Sequence, residues 1–502
     1  MPRRLLAIDQ GTTSTRALLM DEAGATLALA RRELPQHFPR DGWVEHDAER
    51  ILQDTLACVR EALAALSAAD LRGGALSAIG VTNQRETVVL WERATGRALH
   101  HALVWQDRRT ADRCERLRAA GRESLVHRRT GLLLDPYFSA TKLAWLLDSL
   151  PGARQRAERG ELLAGTIDSW LLWHLQGGAA RGARHLTDAT NASRTALFDI
   201  AAQRWDDELL ALFDVPRALL PEVLDSAADF GATDPALFGA PLPLRGVVGD
   251  QQAAAVGQAC FRAGQIKATY GTGAFVLLHT GGTLPHSRHR LLGTVALRLA
   301  GVPTYALEGS IFSAGSTIQW LRDGLHLFAR ADESEALARR ANPSRRLHLV
   351  PAFTGLGAPH WDTDARGALL GLTRDTSPAD LAAAALQAVA FQTADLLDAM
   401  AADGAPRPAA LRVDGGLAAN GYAMQFLADV LDLPVERPAA LETTALGAAI
   451  VAGLGAGVFT STDELAASWL PCASWQPLMG ADERAERLAG WRAAVSRVLT
   501  RR

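Results

Sequence analysis

The chain has 502 residues, enough for roughly two to four domains. Hydrophobic residues make up 48% and charged residues 21%, which excludes global disorder. The formal net charge of −3 gives no electrostatic footprint for nucleic acid or an anionic membrane.

The chain opens with Met1-Pro-Arg-Arg-Leu-Leu-Ala-Ile-Asp9, with only four apolar residues in a row before the acid. That is too short for a secretory signal, which needs about 7–15. The expected compartment is the cytosol. Leu5 to Met20 then reads strand, Gly/Thr turn, strand. Its centre, Asp9-Gln-Gly-Thr-Thr-Ser-Thr-Arg16, places an acid at a strand end before a turn lined with hydroxyls. Backbone N–H groups in such a turn form an anion nest, and Thr12, Thr13 and Ser14 add donors for phosphate oxygens. Arg16 adds positive charge, and Asp9 is placed to hold Mg²⁺ through water. An ordinary hairpin with a polar tip is the competing reading.

Ala75 to Val81 is a short apolar run, expected as a buried strand. Thr82-Asn-Gln-Arg-Glu-Thr87 comes directly after it. Arg85 and Glu86 are adjacent, a five-donor fork and an acceptor, which suits either a surface ion pair or a polyhydroxy ligand. His100-His101 and the pair His286/His289 show no acidic or Cys partner nearby and read as surface histidines. Gly249-Asp-Gln-Gln252 ends another apolar run, and an acid at such a strand end sits where open α/β sheets bind ligands.

The stretch from Gln265 to His279 repeats the opening hairpin, with turn glycines Gly11 and Gly271. Two such hairpins, one opening each half, suggest two domains of related fold. Ser377-Pro-Ala-Asp380 is a helix start, and Leu386, Val389, Ala390, Thr393, Leu396, Leu397 and Met400 share one face of that helix. Val413-Asp-Gly-Gly-Leu-Ala-Ala-Asn420 reads as a strand, a Gly pair and a helix start, where a flat group can approach the backbone. Thr443 to Thr462 runs 20 residues without charge, but Gly, Ala and Thr dominate it. It reads as a tightly packed helix, not a membrane span. Strands alternating with helices give an α/β class.

Several chemistries are excluded. Lys142 and Lys267 are the only lysines among 52 basic residues, and neither follows a Gly, so there is no P-loop. No GxGxxG, GxSxG or HExxH occurs. The four cysteines are dispersed and suggest neither metal nor disulfide chemistry. Asn83 and Asn420, two of only four asparagines, fall inside the motifs above.

Taken together, the segments DQGTTSTR (9–16), GWVEHD (42–47), TNQRETVVLWE (82–92), VWQDRRT (104–110), DPYFSATKLAWLLD (135–148), TDATNASRTALFDI (187–200), GDQQAA (249–254), TYGTG (269–273), EGSIFSAGSTIQWLRD (308–323), PAFTGLGAPHWD (351–362), ARGALLGLTR (365–374) and LRVDGGLAANGYAMQF (411–426) resemble the FGGY family of carbohydrate kinases. TNQRE and DPYFSATK point to the members that act on glycerol.

The resemblance implies two ribonuclease H-like domains of the actin-like ATPase class facing across a cleft, 1–248 and 249–502. The first would bind polyol and carry the first phosphate turn. The second would carry the base, the second phosphate turn and the adenosine site. It implies ATP-dependent phosphorylation of glycerol to sn-glycerol 3-phosphate, with Mg²⁺, in glycerol catabolism. Asp250 would be the general base. Thr12, Arg85, Glu86, Tyr137, Asp250 and Gln251 would meet the polyol, and Trp105 and Phe275 would wall its carbon side. Thr12, Thr13, Ser14, Arg16, Thr272, Gly315, Gln319, Gly416 and Asn420 would meet the nucleotide, and Asp9 the Mg²⁺. A homo-oligomer, dimer or tetramer, is implied as well.

Departures are few. His360 stands where Tyr is expected. Phe230 to Gly246 has one Arg and no Gly-rich basic loop for a sugar bisphosphate regulator, and it lacks the His that phosphotransferase systems modify. The alternatives are a family member acting on a pentulose or tetritol, and a non-catalytic actin-like scaffold. TNQRE argues against the former, and the intact Asp9, Asp250 and Gly/Thr turns argue against the latter.

Overall fold

The computed structural model describes residues 3–440 and 442–500. Its first sheet contains β1 (Arg4–Gln10), β2 (Ser14–Asp21), β3 (Thr26–Glu33), β4 (Leu76–Asn83) and β5 (Leu244–Gly249). The strand order is β5-β4-β1-β2-β3. The β1–β2 and β2–β3 pairs are antiparallel, whereas β4 and β5 join in parallel on the other side of β1. Helices cover the centre of this sheet, so Leu5 to Gln10 in β1 are all buried. At the edge, β3 is mostly exposed and carries Arg31, Arg32 and Glu33, charges that discourage pairing with another chain.

The second sheet repeats the plan. It contains β6 (Ile266–Tyr270), β7 (Ala274–Gly281), β8 (Leu292–Leu299), β9 (Val302–Ile311), β10 (Leu411–Asp414), β11 (Val435–Pro438) and β12 (Pro471–Trp475). Its order is β8-β9-β7-β6-β10-β11-β12. The β6–β7 and β7–β9 pairs are antiparallel, and β10 and β11 add in parallel beyond β6. Removing the extra edge strands β8 and β12 leaves the same five-strand connectivity as in the first sheet. The two hairpins noted in the sequence, β1–β2 and β6–β7, occupy equivalent places. This is the doubled ribonuclease H-like arrangement of the actin-like ATPase class.

Five helices position the site: α1 (Asp250–Gly257), α2 (Gly315–Asp323), α3 (Pro378–Ala402), α4 (Gly421–Leu431) and α5 (Thr443–Gly455). The start of α3 is a capping box. Ser377 Oγ accepts from the Asp380 N–H at 3.3 Å, and Asp380 Oδ2 accepts from the Ser377 N–H at 2.9 Å. The expected apolar face of α3 is buried except for half-buried Leu397. It packs in a core with Phe391 stacked on Trp491, ring centroids 5.3 Å apart.

The uncharged window falls on α5, which is buried in protein. It crosses from the second sheet to pack on α1, β4 and β5. A Cβ at Gly447 would lie 1.8 Å from the Ala253 carbonyl oxygen, and one at Gly80 would lie 2.1 Å from that of Ala448. Backbone-to-backbone contact this close explains the run of small residues. Among the described residues no helix is long and apolar enough to cross a membrane.

Candidate active site

The ends of β1, β4 and β5 and the β6–β7 turn converge on one cleft. Asp9 lies near the end of β1 and pairs across the hairpin with Arg16. Arg85 and Glu86 follow β4, and Asp250 is the first residue of α1, directly after β5. These positions are the strand ends where open α/β sheets bind ligands.

Arg85 and Glu86 are almost completely buried, so a surface ion pair is excluded. They also hardly face each other: Arg85 Nε is 3.9 Å from Glu86 Oε1. Arg85 instead grips Glu308 of β9, Nη1 to Oε2 at 2.5 Å and Nη2 to Oε1 at 2.9 Å. Its Nη1 also donates to Gln252 Oε1 at 3.2 Å, and its Nε faces Asp250 Oδ1 at 3.2 Å. Glu86 Oε1 accepts from Arg194 Nε at 2.7 Å, and Arg194 Nη2 donates to Glu308 at 3.0 Å. Glu86 has a φ of +62°, a left-handed conformation that costs an ordinary residue energy and marks functional sites.

One side of the cleft is apolar. The Trp105 ring meets Tyr137 at 5.5 Å and Phe275 at 5.9 Å, centroid to centroid. Trp105 Nε1 donates to Thr12 Oγ1 at 2.9 Å, tying this wall to the first turn. Lys142 is buried behind it and donates to the carbonyls of Tyr137 at 2.8 Å and Val104 at 3.3 Å.

Burial raises Asp9 to a pKa of about 7 against the pull of Arg16, and the nearby Asp250 adds to the rise. Burial also raises Asp250, opposed by Arg85 and Lys267. For Glu308 burial is overcome, and Arg194 with Arg85 holds it at about 2. Two acids pressed upward beside one held down is the separation expected of groups with different tasks. Lys267 donates to Gln251 Oε1 at 2.6 Å and to Thr269 Oγ1 at 2.9 Å, which orients the residue after Asp250. Burial lowers this lysine to about 8.

The second turn is built for close approach. Gly315 N–H donates to the Gly271 carbonyl at 2.9 Å, and Ala314 N–H donates to that of Thr272 at 3.0 Å. A Cβ on Gly315 would lie 2.6 Å from the Gly271 oxygen, so only Gly allows α2 to start there. Gly416 faces open space, which leaves room for a flat group against the backbone.

The expected residues are not all arranged as donors. Arg85, Glu86, Asp250, Trp105, Tyr137 and Phe275 come together. Thr12 and Thr272 sit at the two turns, and Thr13 is exposed beside Thr12. Ser14 is buried at the start of β2. Arg16 is turned toward Asp9, at 3.4 Å, and Glu442, at 2.5 Å. Gln319 is exposed on α2. Asn420 uses Oδ1 to cap α4, accepting from the Ala423 N–H at 2.9 Å, and its Nδ2 donates to Ser334 at 3.3 Å. Sequence reasoning missed Glu308, Arg194, Gln252 and Lys267. The first two begin or lie inside segments that carry the family resemblance, but nothing local predicts their pairing.

The histidines require a correction. His101 Nδ1 is 3.2 Å and His100 Nε2 3.9 Å from Glu45, and His289 Nδ1 is 2.7 Å from Asp403. Their acidic partners exist but are remote in sequence. His360 lies 3.7 Å from Asp395.

Among the described residues, no group of three or more His, Cys, Asp or Glu could hold a metal ion. Asp9, beside the first turn, nonetheless offers hard carboxylate oxygens. Such a donor suits Mg²⁺ that arrives with phosphate.

Residues 4–257 match the model of the FGGY family of carbohydrate kinases, N-terminal domain, and residues 266–456 that of the C-terminal domain. Glycerol kinase from Rhodospirillum rubrum is 59% identical over 494 residues, covering 98% of both chains. Glycerol kinase 1 from Pseudomonas aeruginosa is 56% identical, covering 99% of both. Among solved structures, Plasmodium falciparum glycerol kinase with ADP superposes with a TM-score of 0.91 at 33% identity, over 100% of this chain and 99% of that one. Xylulose kinase from Rhodospirillum rubrum superposes at 0.86 with 24% identity over 99% of each chain, a likeness of fold alone.

Proposed function

The chain belongs to the FGGY family of carbohydrate kinases, and from that membership we infer that it phosphorylates glycerol with ATP. The products are sn-glycerol 3-phosphate and ADP. The observation that carries this reading is the identity to glycerol kinases along essentially the whole chain. The buried cluster of Arg85, Glu86 and Asp250 beside an aromatic wall supports it chemically.

Residues 1–248 act as the polyol domain and 249–502 as the domain of the base and adenosine, and the cleft between them closes on both substrates. Glycerol lies with its carbons on Trp105 and Phe275. Arg85 donates to a hydroxyl, Glu86 accepts from one, and Tyr137 and Gln251 complete the ring. Held this way, the reacting hydroxyl is aligned with the γ-phosphorus of ATP. Such alignment supplies about 7–11 kcal/mol of barrier reduction. Asp250 takes the hydroxyl proton as the O–P bond forms, and ADP departs in line. The two turns, with Thr12, Thr13 and Thr272, offer N–H and hydroxyl donors to the phosphates, while Gly315 and Gly416 let the nucleotide approach the backbone. Asp9 would hold Mg²⁺, which would offset phosphate charge.

Ser14, Arg16, Gln319 and Asn420 keep their proposed places around the nucleotide. Ser14, Arg16 and Asn420 act there chiefly by shaping the turns and α4. The homo-oligomeric, cytoplasmic setting rests on family resemblance.

The test is product identity. With glycerol and γ-labelled ATP, label is expected in sn-glycerol 3-phosphate, read by a stereospecific dehydrogenase assay. Label in inorganic phosphate alone would refute the reading.

A further inference from the structure

The charged polyol contacts proposed above come from two side chains, and neither is held by its neighbours in sequence. Arg85 and Glu86 are fixed by a chain of four alternating charges, Glu86–Arg194–Glu308–Arg85. Every member is almost fully buried. Glu308 belongs to β9 of the second sheet, whereas the other three belong to the first half of the chain. Arg194 is braced further by the rings of Tyr137 and Phe138, which lie 5.8 and 5.5 Å from its guanidinium carbon.

Burying four charges contributes little to stability, because desolvation offsets their attraction. What such a cluster supplies is direction. The two-pronged grip of Glu308 fixes the plane of the Arg85 guanidinium. It also sets the competition for that cation. Arg85 Nε is already 3.2 Å from Asp250 Oδ1. Without Glu308 the guanidinium would be free to swing onto Asp250, where it would occupy the base and abandon the polyol.

We propose that Glu308, backed by Arg194, is a positioning residue of the polyol site: from the opposite side of the cleft it grips both Nη groups of Arg85 and keeps them off Asp250, which Arg85 approaches only through Nε without a hydrogen bond. This rests on the glycerol reading above. It acts through Arg85 and touches neither the nucleotide turns nor the transferred phosphoryl group.

A double-mutant cycle tests it. Glu308→Gln keeps the shape and removes the charge. It should lower kcat/KM for glycerol at least about tenfold, within the range of coupling seen for residues in one buried network. The KM for ATP should stay within about twofold. In an Arg85→Ala background the same substitution should cost less than about threefold, since the residue it positions is gone. Costs that multiply in the double variant, or an ATP KM that rises in step with that for glycerol, would overturn the assignment. If Glu308→Gln does not accumulate as folded protein, Arg194→Gln, which loosens Glu308, is read the same way against Arg85→Ala, with the same two criteria. The parent enzyme's turnover of glycerol tests the underlying reading separately, so the two failures are distinguishable.

Discussion

Asp250→Asn should bind glycerol nearly as well as the parent and turn it over about 10²–10⁴-fold more slowly. Asn keeps the size of the side chain and can still face Arg85 at the head of α1. It cannot accept the hydroxyl proton. Position and chemistry therefore separate in the kinetics, with kcat falling and the glycerol dissociation constant almost unmoved. The environment sharpens this expectation. Burial raises Asp250 while Arg85 and Lys267 oppose the rise, which brings its proton affinity closer to what a base needs at neutral pH. In the parent, kcat should fall as pH drops and the carboxylate becomes protonated. In the variant the contribution of Asp250 to that acid limb should be lost, leaving only the part due to Asp9. Steady-state kinetics with calorimetric glycerol binding decide the point. Near-normal turnover in Asp250→Asn would remove it from the role of base.

Arg85→Ala carries the second large effect. The guanidinium has five N–H bonds. Among the described residues, two point from Nη1 to Glu308 and Gln252, one from Nη2 to Glu308, and Nε faces Asp250. Nε makes no hydrogen bond to Asp250, so one Nη2 hydrogen and the Nε hydrogen remain for substrate hydroxyls, in line with the two expected from the sequence. Deleting Arg85 removes these donors and strips Glu308 and Asp250 of a buried cation. Breaking a buried pair this way costs about 3–5 kcal/mol, divided between stability and binding. The melting temperature should drop by several degrees. The kcat/KM for glycerol should fall at least about 10²-fold, and that for propane-1,2-diol by less, so that selectivity flattens. Equal losses for both substrates would show that Arg85 supports the fold without reading the hydroxyls.

Much of the architecture was legible because local chemistry announced it. Gly/Thr turns between apolar strands marked both hairpins, and Ser377-Pro-Ala-Asp380 marked the start of α3. The charge-free window over α5 was readable as a packed helix from its small side chains. Its reason, backbone contact between Gly447 and α1, lies in residues about 190 positions apart and leaves no local pattern. The site divides similarly. Arg85 with Glu86, and Asp250 at a strand end, stand out by type and place. Glu308 is 223 residues from Arg85, and Arg194 is 108 from Glu86, so no periodicity links them. The histidines do lie at the surface as read, but the acidic partners of His100, His101 and His289 were missed for the same reason, since Glu45 and Asp403 reach them only through tertiary structure. Asn420 could be read as a helix start from the sequence, but its side chain caps α4 only through a bond made in the folded chain.

The most direct measurement of the central claim is kcat/KM across a polyol and sugar panel with ATP, reading ADP release. The proposed site, with Arg85 and Glu86 buried and Trp105 in contact with Phe275, suits a short triol. A substrate lacking one hydroxyl leaves a buried charge unpaired, a loss of about 1.5–3 kcal/mol, or roughly 10–150-fold. Glycerol should therefore give the highest value, with propane-1,2-diol poor and xylulose close to inert. A highest value for xylulose or ribulose would contradict the glycerol assignment and return the protein to the broader group of sugar kinases.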